Sequence, residues 1–329
     1  MFSKVRSFIK IRLDRIKMFG EFYNDYRHYK KWNYHNPKVK TRAAQESKIL
    51  RQTHMIEKGM SLSKPRKGFG QAKIAELFEM LDGYLKLGFS PSAIPFQNAV
   101  IALNEYVIMQ KNMGYENSEL NEKLSNYQKY LEVNNSAGII KDTKQNIEEQ
   151  AHKEYPVFFN SRHSMRQFRP EKVKTEDIKA AVCLVQKAPT ACNRQASRVY
   201  FYKDEKTNCA LGELISGNTG FDGEVNNYLV ITADVSAFYD SFERNQIYVE
   251  AGIFAMALVE AMHYYGIGSC VLQNGEYKKK NKKFKKICGN IPENERIILF
   301  AAVGYYKDEF TYAASMRKNI DDVLIISEN

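Results

Sequence analysis

Two short apolar runs limit what this chain can fold into. Tyr228-Leu-Val-Ile-Thr-Ala233 and Ile297–Val303 carry no charge and do not alternate. Runs of this length without alternation read as strands buried on both faces, which requires cover on each side of a sheet. Val199–Tyr202 reads as a third strand. Thr175-Glu-Asp opens a helix with acidic residues in its first turn, where the helix dipole favours them. Ile247 to Tyr265 is a long helix, apolar almost all round and so expected to be buried, with Gly266 placed to end it. There is neither a Rossmann glycine fingerprint nor a P-loop, and the expected class is α+β.

The part before this is helical in pattern. Ile74, Leu77, Phe78, Leu81 and Leu85 recur at helical spacing, ending near Gly88. Val100, Leu103, Tyr106 and Val107 mark a second helix. Asn117 or Ser118 can cap a third, with Leu120, Leu124, Tyr127 and Leu131 on one face. Asn134–Gly138 breaks the pattern, and a charged connector expected to be helical runs from Lys141 to Glu154. The expected division is a helical, basic region over 1–150 and a second unit over 151–329.

The net charge of +11 is concentrated at one end: residues 1–67 alone carry 18 basic and 5 acidic side chains. There Phe8, Ile9, Ile16 and Phe19 alternate with Lys10, Arg12, Arg15 and Lys17, so residues 1–30 could lie on an anionic membrane surface or pack on their own protein. Nucleic acid is disfavoured, because basicity comes without a recognised motif. A second basic run, Lys278–Lys286, reads as a solvated loop or helix face. Five scattered cysteines without CxxC spacing argue against a disulfide framework or structural zinc, so no metal is expected. With no uninterrupted apolar export segment, the expected location is the cytoplasm.

Four separated segments carry the chemistry. SRHSMRQF (161–168) sets two guanidiniums beside hydroxyl and imidazole groups, a combination suited to phosphate. APTACNRQ (188–195) follows a helix that Pro189 stops, and presents Thr190, Asn193 and Gln195 from a loop. Such groups can match the polar edge of a heterocycle. GIGSCVLQNG (266–275) is small enough for close backbone approach, or is simply a helix cap and turn. Gly304-Tyr-Tyr306 is followed by Arg317-Lys318, a second source of positive charge.

In this order and spacing the four resemble the nitroreductase family of FMN-dependent oxidoreductases over about 160–329. The resemblance implies a nitroreductase-like FMN-binding fold, a mixed central sheet flanked by helices, preceded here by a mostly helical N-terminal region. It implies that Arg162, Ser164 and Arg317 hold the FMN phosphate, with His163 near the ribityl chain or phosphate. Arg166 would lie near flavin N1 and O2 and be the catalytic residue, stabilising negative charge there at any working pH. Pro189, Thr190, Asn193 and Gln195 would meet the ring or ribityl chain from one side. Backbone around Cys270, Val271, Leu272 and Gln273 would face N5. The implied reaction is ping-pong hydride transfer from NAD(P)H to a small organic acceptor, in a homodimer with FMN at the interface. Branches of the family that use FMN without NAD(P)H remain an alternative, as does a partner-binding protein with a scaffold flavin domain. Ala196-Ser197 replaces the family's frequent Pro-Trp, and residues 212–227 are short where relatives often carry substrate-lid elements.

Five residues stay open. Cys192 and Cys270 are reactive thiols or small buried residues, and His263 is a ligand or a satisfied core histidine. His54 and Glu57 lie one turn apart on an expected helix, as a metal or acid–base pair or as a packing pair. The basic loop Leu62–Gly70 after them could cover a flavin or bind an anionic substrate.

Overall fold

The structure is a computed structural model that describes residues 13–16, 18–20, 22–23, 26–27, 37–132, 138–191, 194–238, 243–275 and 278–327. Much of the basic segment expected to meet a membrane, including Phe8, Ile9, Lys10, Arg12 and Lys17, lies outside the described residues, as do Asn134–Ala137, Cys192 and Asn193.

The N-terminal region is a helical layer. Helix α1 (Arg42–Met60) is capped by Thr41, whose hydroxyl accepts from the Ala44 N–H. Helix α2 (Gln71–Lys86) ends at Gly88, which takes a left-handed φ of 79° and lets the Phe89 N–H reach back to the Tyr84 carbonyl. Helix α3 (Ile94–Asn112) carries a proline in its first turn, where no N–H is needed. Ile49, Ile56, Leu77, Phe78, Leu81, Phe96 and Leu103 form the core between these three helices. Helix α4 (Ser118–Ser125) is capped by Asn117, as the sequence suggests, but is shorter than the apolar spacing predicts. Tyr127 follows it in a turn and still packs inward.

The connector after it is a correction. Lys141 to Asp142 are not helical; they belong to strand β1 (Ile139–Thr143), and only Lys144–Ala151 forms helix α5. β1 pairs antiparallel with β6 (Glu309–Ala313), near the other end of the chain. A strand half exposed and half charged is made by its partner, which its own sequence does not show. Helix α6 (Tyr155–Ser161) then leads into the first chemical segment.

The second unit is a four-stranded sheet in the order β2-β3-β5-β4, every pair antiparallel. The strands are β2 (Ser197–Phe201), β3 (Asn227–Asp234), β4 (Ile267–Gln273) and β5 (Glu295–Tyr305). Among the described residues, the parallel component is one bridge between Ser164 and Ser269. β3 is buried through almost its whole length, with Tyr228 and Val230 in one core cluster and Leu229 and Ile231 in the other. Helices α7 (Thr175–Val185) and α9 (Gln246–Tyr264) cover the second face. Helices α8 (Glu205–Leu214) and α10 (Lys278–Cys288) cover the first. The lysine run is therefore a helix face; Phe284 anchors it, fully buried with its ring 4.5 Å from that of Phe300.

Two expectations change here. Residues 267–273 are not a turn but strand β4, paired residue by residue with β5 from Ile267 opposite Tyr305 to Gln273 opposite Leu299. Helix α9 is long and apolar enough to cross a membrane, yet Ala251, Phe254, Leu258 and Met262 bury one side of it in the core. Its other side is not buried: Val249, Ile253, Met256 and Tyr264 form an exposed stripe.

Candidate active site

The site begins with two facing glycines. Gly268 in β4 sits opposite Gly304 in β5. A β-carbon on Gly304 would lie 2.7 Å from Phe168, and one on Gly268 3.0 Å from Met165. Without side chains there, residues 164–168 lie directly on the sheet. The Met165 N–H donates to the Ser269 carbonyl at 2.9 Å, the Arg169 N–H to that of Tyr305 at 3.0 Å, and Phe168 bridges to Tyr306. A second anchor lies at the end of α6, where Ser161 Oγ meets His263 Nε2 at 2.7 Å and His263 Nδ1 meets the Tyr306 hydroxyl at 2.8 Å. His263 is a satisfied core residue, as one reading of the sequence expects.

Between these anchors the backbone presents its cations. Arg166 is 5% exposed. Its Nη1 donates to the Ser164 carbonyl at 3.2 Å and its Nη2 lies 3.3 Å from His54 Nε2. Its Nε is buried with no partner among the described residues, and so is that of Arg162. Burial pushes the Arg162 guanidinium below its ordinary value, and the nearby Arg317 adds to this. Buried cations left short of acceptors are costly unless an anion joins them. Arg317 is exposed, and its Nη1 donates to the Ser315 carbonyl at 2.7 Å. Ser315 and Gln195 are the two non-glycine residues, among those described, with left-handed φ, 48° and 50°. Such conformations cost energy and collect at binding sites.

His163 stacks on Tyr312, ring centroids 3.6 Å apart. Burial, then Arg162, lowers its pKa to about 4, so it is neutral near pH 7. Ser164 is exposed beside Ser269. Cys270 and Leu272 are buried, while Val271 and Gln273 are exposed along β4. Burial raises the Cys270 thiol above its ordinary value despite Arg166 and Lys58 nearby, which suits a small packed residue and not a nucleophile. Arg162, His163, Arg166, Cys270 and Arg317 are thus brought together. Sequence reasoning missed Lys58, Tyr306 and Tyr312, which come from segments outside the motifs or from their far ends.

The 188–195 loop is held elsewhere. The Ala191 N–H donates to Glu250 Oε1 at 2.9 Å, and Arg194 makes two 2.9 Å bonds to Glu243. The Gln195 N–H donates to Thr190 Oγ1 at 3.2 Å, and Pro189 lies just after α7. Glu250 stands near the start of α9 and His263 near its end. At 1.5 Å per residue they are about 20 Å apart, so within one chain this loop and the arginine cluster mark opposite ends of the helix.

His263 gives the site a pH signature. Burial, then Arg162, lowers its pKa to about 4, against about 6.5 when unfolded. As pH falls the unfolded chain takes the proton first. The contribution to stability is intact above about 6.5 and is lost as pH falls toward about 4. For a residue 1% exposed this amounts to about 2 kcal/mol between about pH 7 and pH 5. Urea unfolding at the two values should show it, and His263→Gln should reduce the difference; an unchanged difference would assign the effect to other groups.

The nitroreductase family model matches residues 160–305. Solved structures with a similar course include a nitroreductase family protein from Streptococcus pneumoniae TIGR4, 20% identical, covering 50% of this chain and 96% of its own, with a TM-score of 0.42. Another is a nitroreductase family protein from Clostridium novyi NT, 17% identical, covering 47% and 87%, also at 0.42. A third is an FMN-dependent nitroreductase from Clostridium difficile R20291, 18% identical, covering 51% and 95%, at 0.40. No curated protein matches the sequence. Residues 160–305 thus match the nitroreductase family, and the α+β unit to which they belong is nitroreductase-like, preceded by a helical region that the match does not reach.

Proposed function

We propose that the chain is an FMN-dependent oxidoreductase that takes electrons from NAD(P)H and passes them to a small organic acceptor. The observation that carries this is the pair Arg162 and Arg166, half-buried and buried, each with a buried Nε that no group among the described residues satisfies. The donor set fits FMN: Arg162 and Arg317, with Ser164 and His163, would hold its phosphate and ribityl chain. FMN, when bound, supplies the two-electron chemistry. Arg166 supplies a fixed positive charge beside the ring; being unable to lose its proton, it acts through electrostatics and not as an acid. The buried Phe168 and Tyr306 beneath this segment keep water away from the cations, which strengthens their field. NAD(P)H and acceptor would occupy the same open face in turn. A purified sample should show flavin absorbance that bleaches on adding NADH or NADPH. Bands that do not bleach would favour flavin chemistry without nicotinamide, and no bands after incubation with FMN would remove the reading.

The site is proposed to be completed by a second copy. The distance along α9 between the arginine cluster and the 188–195 loop supports this, because Pro189, Thr190 and Gln195 are far from the arginines of their own chain. The exposed stripe Val249, Ile253, Met256 and Tyr264 supplies an apolar surface between the two ends. Asn193 is proposed with that loop, and the division of the chain into 1–150 and 151–329 is kept as a proposal. Light scattering on the FMN-loaded protein should give a dimer, and Ile253→Asp should yield monomers that bind FMN at least tenfold more weakly. Monomers with unchanged FMN affinity would count against a shared site.

A further inference from the structure

The last two turns of α1 lie outside the family match, yet they reach its most buried cation. His54 and Lys58 are four residues apart and so share one helix face. His54 Nε2 is 3.3 Å from Arg166 Nη2. A guanidinium can only donate, so this imidazole nitrogen accepts and the ring proton sits on Nδ1. Nδ1 is 3.8 Å from Glu57 Oε2. Glu57 is 1% exposed, and its other oxygen has no partner among the described residues. Glu57, His54 and Arg166 therefore line up, with the carboxylate favouring the tautomer that holds the arginine.

Lys58 comes one turn later. Its ammonium donates to the Gly217 carbonyl and sits 5.3 Å from the centre of the Phe221 ring. Burial lowers its pKa, and Arg166 lowers it further, while Cys270 and Asp222 act the other way. Two like charges from distant parts of the chain are thus brought into one half-buried place, where Arg166 still has an unsatisfied Nε. Like charges held this way disfavour each other, and an anion between them offsets that cost.

We propose that Lys58 and Arg166, the latter positioned by His54, form a two-cation seat for one anionic oxygen group, so that the N-terminal region is a working wall of the active site. The inference rests on the flavin reading above. The oxygen has two sources: the N1–O2 edge of the flavin ring or a carboxylate on the bound substrate.

The test uses the full-length protein loaded with FMN, and the variants Lys58→Met and Lys58→Arg. The midpoint potential of the bound flavin reports the ratio of affinities for its reduced and oxidised forms. Benzoate and the neutral benzamide are the ligand probes, followed by the shift they cause in flavin absorbance. A ring-edge seat predicts that Lys58→Met lowers the affinity ratio about tenfold and that Lys58→Arg restores it. A carboxylate seat predicts that Lys58→Met weakens benzoate about tenfold and leaves benzamide unchanged. In either case His54→Leu should move the same readout and His54→Gln, which keeps an acceptor, should move it less. Lys58→Met protein with wild-type Tm, potential and benzoate affinity overturns the proposal. Wild-type protein that binds no FMN removes the flavin reading itself, a result distinct from loaded protein that is indifferent to Lys58.

Discussion

Arg162→Ala should weaken FMN binding about 100-fold and leave riboflavin binding within a few-fold. The two ligands differ only in the phosphate, so the comparison isolates the group that Arg162 is proposed to hold. The magnitude follows from losing charge-assisted hydrogen bonds from a largely buried guanidinium, about 3 kcal/mol. Arg162 has the right starting state: its Nε is buried without a partner, and its positive neighbour Arg317 makes the pair more costly without an anion. Arg317→Ala should lose less, because that side chain is exposed and its charge is screened. Quenching of flavin fluorescence on titration would measure both. Equal losses for FMN and riboflavin would mean that Arg162 supports the fold and does not hold a phosphate.

The second large effect is expected at a residue with no functional group. Gly304→Ala places a β-carbon 2.7 Å from the Cβ, Cγ and Cδ1 atoms of Phe168. Phe168 is buried and bridged to Tyr306, so it has no open side to move toward. Overpacking of this kind costs about 1–3 kcal/mol. Arg166 is two residues away on the same segment, so FMN affinity should fall together with Tm. Adding Phe168→Ala to Gly304→Ala should cost less than the two single changes summed, because the close contacts to Cγ and Cδ1 are then gone and only the one to Cβ remains. Strict additivity in that cycle would show that the glycine is there for another reason.

Much of this arrangement is legible in the sequence where a local rule governs it. β3 and β5 are buried on both faces, and their unbroken apolar runs say so directly. α2, α3 and α4 follow from spacing and from Asn117 as a cap. Arg162, Arg166 and Arg317 stand in two segments whose clustered basic residues are visible in the sequence. What could not be read is what a distant partner decides. β4 looks like a turn because Gly268 and Ser269 are turn-prone residues, and it is a strand because β5 lies beside it. β1 exists through β6. The exposed stripe on α9 was hidden because a helix apolar all round does not reveal which side its own chain leaves uncovered. Lys58 belongs to the same group: nothing near it in sequence announces Arg166, more than a hundred residues away.

The pairing of β1 with β6 also has a bearing on how the protein is made. Residues 139–143 wait for residues 309–313, which joins more than half of the chain into one loop before that contact can form. Closing so long a loop is entropically costly, and contacts of this range form late. On the ribosome, the helical layer of α1 to α3 can assemble from local contacts long before its strand has a partner. Arg317 leaves the ribosome only after β6. A message cut short before β6 would therefore yield a chain with its helices formed, an unpaired strand exposed to neighbours, and no Arg317. Such a product is prone to associate through that edge.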